Sequence, residues 1–326
     1  MKRCSLSMSE IMVSVIILTY NHERYIRQAI DSILMQKVNF AYEILVGDDC
    51  SKDETPNILK EYYQKYPNLF RLYLRKENLG ATRNAYELLT SARGKYLATC
   101  EGDDYWTDEN KLQIQVDFLE KHNEYIGTTH KCLVVDENGE MRKNQSIEWI
   151  KDREVFTIDD FEGLWLPGQA ATLVRRNIFL NPKYDYSIFY KAHRMIGDRT
   201  AMLFFLEQGN FYRINRIMSA YRQVLKKDGS NITSLVYVNN DNRILDDFKL
   251  TCALEKYANE ELKLKVDFRK RKKDLFVSAV IFALKRPCKK SINVIRQILK
   301  EGRDPLNYLM YLPKGVLDKI VKKLLL

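Results

Sequence analysis

Alternating strand and helix signals near the start of the chain constrain its fold more than any other feature. VSVIIL, residues 13–18, is a β-branched strand candidate, and apolar residues at helical spacing follow it. YEILVGDD, residues 42–49, repeats the strand signal, and Thr55 followed by Pro56 predicts a helix with Thr55 as its cap. The strand candidates FRLYLR and GKYLATC, with a helix between them, continue the pattern. Repeated βα units predict an α/β fold with a mainly parallel sheet.

Polar clusters follow three of these strands: TYN after the first, GDDCSKDET after the second and EGDD after the fourth. Ligands bind at the carboxyl ends of parallel strands, so the three clusters are expected to meet in one site. The chain has neither a G-x-G-x-x-G nor a G-x-x-x-x-G-K-[ST] motif. This argues against a Rossmann dehydrogenase and a P-loop enzyme.

Charge divides the chain into two regions. Residues 233–326 contain 21 Lys and Arg against 11 Asp and Glu, whereas residues 1–232 contain 32 of each sign. The six cysteines form no C-x-x-C pair, which argues against a disulfide framework and predicts a reducing cytoplasm. IMVSVIIL is interpreted as a buried strand and not as a signal peptide. The ten-residue apolar run LFVSAVIFAL is shorter than the roughly 20 residues of a spanning helix, so no transmembrane helix is expected.

Four segments resemble, in order and spacing, the nucleotide-sugar-binding half of inverting glycosyltransferase family 2. They are VSVIILTYNHERYI, EILVGDDCSKDET, ENLGATRNAYEL and GKYLATCEGDDYWTDENKLQIQ. The resemblance covers residues 11 to about 225. It implies a GT-A fold with a mixed, mainly parallel central sheet in residues 11–232, followed by a basic, mainly helical C-terminal region in residues 233–326.

The resemblance also implies an activity. We expect an inverting, metal-dependent transferase that moves a sugar from a nucleotide donor, UDP-linked, to a saccharide or glycolipid hydroxyl in surface polysaccharide assembly. The alternative is a catalytically silent GT-A-fold protein that binds a membrane surface or nucleic acid.

The acidic stretch CEGDDYWTDENK, residues 100–111, is the expected metal site. A donor diphosphate brings negative charge to these carboxylates, and Mg²⁺ or Mn²⁺ prefers such oxygen ligands. By resemblance, the order of preference for the ligands is Asp104 and Asp103, then Glu101. A solvated acidic turn is the alternative, and it is preferred for Asp108 and Glu109. Trp106 is expected to be a packing residue.

The resemblance assigns the donor nucleotide to the ends of the strands. The expected donor-binding residues are Leu18, Thr19, Tyr20, Asn21, Asp48, Asp49, Arg83 and Asp103. Asp49 matches the position that accepts the N3–H of a uracil base, and Asp48 is its structural neighbour. The alternatives are a loop held by Asx and Ser turns, and a surface salt bridge for Arg83.

Asp198, in IGDRTAMLFF, matches the family's catalytic base. A single displacement at the sugar needs one carboxylate to accept the proton of the acceptor hydroxyl. An N-terminal helix cap is the alternative for Asp198. His193 and Arg194 are candidates for contacts with the acceptor. Arg222, Lys226 and Lys227 are candidates for neutralising phosphate.

The basic C-terminal region is expected to dock on an anionic membrane, which places the protein peripherally on the inner face of the cell membrane. KGVLDKIVKKLLL, residues 314–326, has the pattern of an interfacial helix. Nucleic acid is disfavoured as a partner because the basic segments lack interleaved aromatic residues. The alternative is that these helices pack on the transferase domain or on a second subunit of a homo-oligomer.

Overall fold

The computed structural model describes residues 11–224, 242–302, 308 and 310. These residues group into two compact units. The first unit comprises residues 11–157 and 166–224, and the second comprises residues 158–165 and the described residues from 242 onward. The predicted boundary between residues 232 and 233 lies outside the described residues and stays a prediction. The sequence contained no signal that residues 158–165 group with the C-terminal helices.

The first unit is built on one mixed sheet, which has nine strands among the described residues, in the order β3-β2-β1-β4-β8-β6-β9-β5 with β7 paired to β9. The strands are β1 (Val13–Thr19), β2 (Tyr42–Asp48), β3 (Phe70–Leu74), β4 (Tyr96–Glu101), β5 (Tyr105–Trp106), β6 (Tyr125–Val135), β7 (Val155–Phe156), β8 (Val174–Arg176) and β9 (Asn210–Arg222). The four strands β3, β2, β1 and β4 are parallel, as the repeated βα units predicted.

Six helices belong to the first unit and three to the second, within the part of the chain that the structure describes. They are α1 (Ile26–Leu34), α2 (Thr55–Lys65), α3 (Ala81–Ser91), α4 (Lys111–Lys121), α5 (Ile188–Lys191), α6 (Asp198–Leu206), α7 (Arg243–Glu260), α8 (Arg269–Lys285) and α9 (Lys289–Glu301). In α2, Glu54 occupies the cap position and Thr55 is already helical, which shifts the predicted start by one residue.

The core of the first unit lies on both faces of its central strands. Val13, Val15 and Ile17 of β1 are completely buried, and the residues of β2 from Ile44 to Val46 are buried as well. Strands covered by helices on both faces need such continuous apolar runs. The register pairs Thr19 with Asp48. The three parallel strands β1, β2 and β4 therefore end side by side.

The amino ends of the same strands are held by a buried carboxylate. Glu43 of β2 accepts hydrogen bonds from the Ser14 hydroxyl at 2.7 Å and from Arg93 Nη2 at 2.6 Å. It also accepts the Arg93 amide at 2.9 Å. Burial opposes the charge of Glu43, but these hydrogen bonds outweigh it and lower the pKa of the carboxyl. This network stabilises the edge of the sheet opposite the polar clusters.

The three helices of the second unit share a core of their own. The apolar run at residues 275–284 lies in α8, where Leu275, Phe276 and Val280 are buried against α7 and α9. Half of this run is therefore buried in the core of the second unit. In the described part of the chain, no helix has the length and hydropathy that would let it cross a bilayer.

Candidate active site

The polar clusters meet where β1, β2 and β4 end. Leu18 is paired with Glu101 across β1 and β4, and its carbonyl accepts the Gly102 amide at 2.8 Å. The Thr19 carbonyl accepts the Asp49 amide at 3.0 Å. Backbone hydrogen bonds thus bring the loops after the three strands together, as the α/β pattern predicted.

Glu101, Asp103 and Asp104 form one acidic cluster. Each contributes a carboxylate oxygen, and these oxygens lie within 4.8 Å of one another. Burial, then the charges of Asp103 and Asp198, raise the pKa of Glu101 to about 8. Burial, then the charges of Asp103 and Glu101, also raise the pKa of Asp104 well above its usual value. Such a group of charges is stable in its ionised form only when a cation compensates it.

The buried oxygens of Asp104 provide a test of whether a metal fits. Its Oδ1 accepts the Arg222 amide at 2.8 Å, whereas its Oδ2 is buried and has no hydrogen-bond partner among the described residues. Buried carboxylate oxygens are normally bonded, so an unpaired one beside two further carboxylates suits a hard divalent cation. The oxygen atoms of these three residues therefore form a donor set that suits Mg²⁺ or Mn²⁺.

Gly102 permits a close approach at the centre of this cluster. A Cβ atom at this position would lie 2.8 Å from both Thr19 Oγ1 and His22 Nδ1. Both of these polar atoms are buried without a hydrogen-bond partner in the described part of the chain. His22 Nε2 also lies 3.8 Å from Asp103 Oδ2. His22 directly follows the TYN segment, but the sequence motifs do not predict it as a residue of the site.

The loops after β1 and β2 are joined by their own polar side chains. Asp48 accepts the Ser51 hydroxyl at 2.5 Å and the Ser51 amide at 3.1 Å. Asn21, which has a φ of 55°, accepts the Lys52 amide at 2.9 Å. Asp48 and Ser51 form a turn of the kind that was the alternative for this loop, whereas Asn21 joins the loop after β1 to the loop after β2. Tyr20, directly before Asn21, is 37% exposed.

Asp49 is buried between two loops. Its Oδ1 accepts the Leu79 amide at 2.7 Å and its Oδ2 accepts the Gly80 amide at 2.9 Å. Burial raises the pKa of Asp49, and the two amides and the charge of Arg194 partly oppose this rise. Each carboxylate oxygen has a second lone pair, so Asp49 retains the capacity to accept an N–H from a base.

Arg83 lies on the surface of α3, where more than half of its side chain is exposed. Its Nε is 3.3 Å from Glu87 Oε1, and its guanidinium lies over the Tyr190 ring at 5.6 Å. This is the salt bridge that sequence analysis left as the alternative. In the described residues, the structure does not bring Arg83 into contact with the acidic cluster.

Asp198 is the first residue of α6 and is exposed. Its Oδ1 accepts the Arg199 amide at 2.8 Å, and its charge contributes to the raised pKa of Glu101. Asp198 therefore stands at a helix start and also faces the acidic cluster. Gln169, which sequence analysis did not single out, donates to Glu101 Oε2 at 3.3 Å.

Arg222 has a structural position that differs from the phosphate-neutralising role considered for it. Its side chain donates to the Asp103 carbonyl at 2.9 Å, to the Asp136 carbonyl at 3.0 Å and to Gln28 Oε1 at 2.7 Å. The buried guanidinium also lies over the Tyr25 ring at 4.5 Å. Lys226, Lys227 and the predicted interfacial helix at 314–326 lie outside the described residues.

A family model for glycosyl transferase family 2 matches residues 14–206, which is more than half of the chain. The chain belongs to this family. Among its curated relatives is the putative teichuronic acid biosynthesis glycosyltransferase TuaG of Bacillus subtilis (strain 168). TuaG is 28% identical over 221 residues, which cover 68% of this chain and 82% of TuaG. The putative glycosyltransferase EpsE of the same strain is 38% identical over 127 residues, covering 39% of this chain and 45% of EpsE.

An uncharacterized protein of Mycobacterium tuberculosis (strain ATCC 25618 / H37Rv) is 42% identical over 144 residues, covering 44% of this chain. The chain spans less than half of the length of this relative and of EpsE. The solved structure of S. aureus TarS 1–349 in complex with UDP has a TM-score of 0.62 at 17% identity, covering 96% of this chain and 88% of that one. The predicted GT-A fold, with helices after the mixed sheet, is confirmed.

Proposed function

We propose that this family 2 member is an inverting, metal-dependent glycosyltransferase that uses a UDP-linked sugar. The observation that carries the proposal is the cluster of Glu101, Asp103 and Asp104 at the strand ends, with Asp198 facing it. A cluster of acids alone is compatible with a solvated turn, but a solvated turn does not need a buried, unpaired carboxylate oxygen such as Asp104 Oδ2.

The residues of the site divide the chemistry between them. Glu101, Asp103 and Asp104 would hold Mg²⁺ or Mn²⁺, which neutralises the diphosphate as it leaves. Asp198 is exposed and accepts the proton of the acceptor hydroxyl, so that the oxygen attacks the sugar carbon as the bond to the diphosphate breaks. One displacement inverts the configuration at this carbon.

UDP is proposed as the nucleotide for two reasons. Asp49, directly after β2, has free lone pairs, and a carboxylate there accepts the N3–H of uracil, whereas a base without that N–H leaves the carboxylate unpaired. The fold is also shared with TarS, which has been solved with UDP and with UDP-GlcNAc.

A saccharide or lipid-linked saccharide of the cell surface is proposed as the acceptor. The names of the relatives support this setting, because they include the putative teichuronic acid glycosyltransferase TuaG and the minor teichoic acid biosynthesis protein GgaA, both of Bacillus subtilis (strain 168).

The test is release of UDP from a panel of UDP-sugars, measured with Mn²⁺, with Mg²⁺ and with EDTA. Asp104→Asn should abolish turnover and weaken UDP binding, because the diphosphate then meets an incomplete metal site. Asp198→Asn should lower the rate by about 10² to 10⁴ and leave UDP affinity nearly unchanged. Asp117→Asn, on the exposed surface of α4, is the matched control and should behave like the wild type.

Three results would contradict the proposal. Wild-type turnover that survives complete chelation excludes the metal role of the acidic cluster. An Asp198→Asn variant that retains more than a few per cent of transfer places the base elsewhere. UDP binding without turnover on any sugar and acceptor would favour the catalytically silent alternative.

The proposed location is peripheral, on the anionic inner face of the cell membrane. From residue 275 to residue 300 the chain has six Lys and Arg and no Asp or Glu. All residues from Leu284 to Lys290, which include the last residues of α8 and the first residues of α9, are exposed. Ile281 lies on the same face of α8 as Leu284 and Lys285 and is 47% exposed. Apolar side chains beside basic ones suit a surface of anionic lipid, where each cation contributes about 1 kcal/mol.

Vesicle co-sedimentation tests this location. The full chain should bind vesicles containing anionic lipid, and binding should fall with salt. A variant carrying Lys285→Gln, Arg286→Gln and Lys289→Gln should lose most of it. The control carries Lys60→Gln, Lys65→Gln and Lys121→Gln, which remove the same charge from exposed positions of α2 and α4. Equal binding by both variants would contradict the role of the turn between α8 and α9. Binding to RNA but not to vesicles would indicate that the partner of this region is nucleic acid.

A further inference from the structure

The loop before α3 is held on one side by the nucleotide end of the site. Besides the two amide hydrogen bonds to Asp49, the Asn78 side chain donates to the Asp49 carbonyl at 3.1 Å. The loop ends at Gly80, which has a φ of 86°. Any shift of Asn78, Leu79 and Gly80 therefore displaces the hydrogen-bond partners of Asp49, the residue proposed to bind the uracil base.

Arg194 holds the same loop on its other side. Its Nη2 donates to both the carbonyl and the side-chain oxygen of Asn78, each at 2.9 Å. Its carbonyl accepts the Thr82 amide at 3.1 Å and the Thr82 hydroxyl at 2.8 Å. A Cβ atom at Gly80 would lie 2.5 Å from Arg194 Cγ, so the aliphatic part of the arginine packs directly on this glycine.

The segment that carries Arg194 leads directly to Asp198. His193 Nδ1 accepts the amides of Met195 at 3.0 Å and Ile196 at 2.9 Å, which closes a turn after Arg194. A Cβ atom at Gly197 would lie 3.0 Å from the Thr82 side chain, so the start of α6 packs against the start of α3. Arg194 is thus connected to the start of α6 by a short, hydrogen-bonded segment of chain.

We propose that Arg194 is a positioning residue that ties the placement of Asp198 to the loop bound by Asp49. The proposal rests on the proposed function, because it assigns Asp198 as the base and Asp49 to the donor nucleotide. A nucleotide that orders the Asn78–Gly80 loop would, through Arg194 and Thr82, also order the turn that presents Asp198. Asp198, the proposed catalytic base, would then be placed correctly when the nucleotide-sugar donor is bound.

An arginine suits this position better than other residues. Its side chain is exposed, and among the described residues only Nη2 of the guanidinium is bonded to protein. It combines a long apolar stem, which covers Gly80, with a planar head that reaches two oxygens of one residue. Lysine retains the stem and a single donor group, whereas methionine retains only the stem.

Steady-state kinetics with a double-mutant cycle test the proposal. Arg194→Met should lower kcat by about 10-fold to 50-fold and change KM for the UDP-sugar by less than 3-fold, because the donor contacts remain. In the Asp198→Asn background, measured at raised enzyme concentration, the same substitution should lower kcat by less than 2-fold. Arg194→Lys should restore about a third of the activity. Arg27→Met, which removes an exposed arginine paired with Glu61 at 2.7 Å on α1 and α2, is the matched control.

Equal slowing in both backgrounds would overturn the proposal, since it shows an effect of Arg194 that does not pass through Asp198, such as direct contact with a substrate. Absence of slowing by Arg194→Met would overturn it as well.

Amide hydrogen exchange provides a second readout that needs no turnover. In the ligand-free protein, Arg194→Met should speed exchange in peptides covering residues 78–82 and 192–199 by at least 5-fold and leave α2 unchanged. Unchanged exchange in both peptides refutes the connection even if the enzyme proves inactive on every UDP-sugar. Inactivity of the wild type together with faster exchange would reject the proposed function but leave the structural connection supported.

Discussion

Lys111 is a buried ionisable residue of the first unit, and replacing it should stabilise the protein. It is the first residue of α4 and is completely buried. Its Nζ lies 4.1 Å from the centroid of the Trp106 ring and has no hydrogen-bond partner among the described residues. Burial lowers the pKa of this amine to about 7. The substitution Lys111→Met retains the length and packing of the side chain and removes the charge.

The expected magnitude follows from the difference in pKa between the folded and unfolded states. An unfolded lysine has a pKa of about 10.4, and one pKa unit corresponds to about 1.4 kcal/mol. At pH 7 the buried amine therefore reduces the free energy of unfolding by about 4 kcal/mol, and the contact with Trp106 offsets about 1 to 2 kcal/mol of this. Lys111→Met should raise the free energy of unfolding by about 2 to 3 kcal/mol at pH 7.

The gain should depend on pH with a definite sign. Because the folded pKa is below the unfolded one, the unfolded state binds more protons between pH 7 and pH 10, and the wild type becomes more stable as the pH rises in this range. The advantage of Lys111→Met should shrink to about 1 kcal/mol at pH 9.5. Urea unfolding of both proteins at the two pH values measures this difference.

Lys272 provides the matched control. It is also buried, but its Nζ lies 2.6 Å from Glu255 Oε2 in the second unit. Lys272→Met should destabilise the protein, because it leaves a partly buried carboxylate without its partner. A gain for Lys111→Met that is equal at pH 7 and pH 9.5, or a loss of stability at both, would refute the reasoning.

Three further predictions concern the strand ends and the network opposite them. Glu43→Gln should destabilise the protein by about 2 to 4 kcal/mol at pH 7, because it weakens the pair with Arg93. Hydrogen bonding lowers the pKa of Glu43, so the stabilisation by its charge is lost as the pH falls. The urea midpoints of the variant and the wild type should therefore converge towards pH 4. Gly102→Ala should weaken binding of UDP with Mn²⁺ by at least about 10-fold in calorimetry, because the added Cβ would lie 2.8 Å from Thr19 Oγ1. Unchanged affinity would show that the loop containing Gly102 does not take part in UDP binding. Alkylation of the partly exposed Cys50 by iodoacetamide, followed by mass spectrometry, should slow about 5-fold or more in saturating UDP with Mn²⁺. If Cys50 keeps its full reactivity while UDP is bound, the uracil base does not lie beside the loop after β2.

Much of the first unit could be predicted from the sequence because its signals are local. Runs of β-branched residues alternate with helical spacing, and parallel strands connected by helices must end at one edge of the sheet. The segment at residues 13–18 became β1, and the segment at 42–49 became β2 with Asp49 directly after it. Carboxylates placed after such strands identify a site before any distance is known, so the acidic cluster was predicted with its three residues.

The partners of each side chain were decided only by the tertiary structure. Asp48 and Asp49 are adjacent in sequence, yet one closes a turn with Ser51 and the other binds amides from a loop that begins with Asn78. A pattern of residue types cannot distinguish these two carboxylates, because their difference lies in contacts about thirty residues away. Arg83 likewise matches a motif but pairs with Glu87 on the surface of α3.

The sequence by itself determined the order of strands and helices, the family and the cluster of acids, because hydrophobic periodicity and motif spacing are properties of neighbouring residues. Only the tertiary structure decided that His22 and Gln169 lie beside the acids, that Arg222 is enclosed by protein, and that Arg194 joins the loop at Asn78 to the helix that begins at Asp198. The physical reason is burial. Whether a charged or polar group binds a ligand or serves the fold depends on which atoms surround it in three dimensions, and those atoms come from segments far apart in the chain.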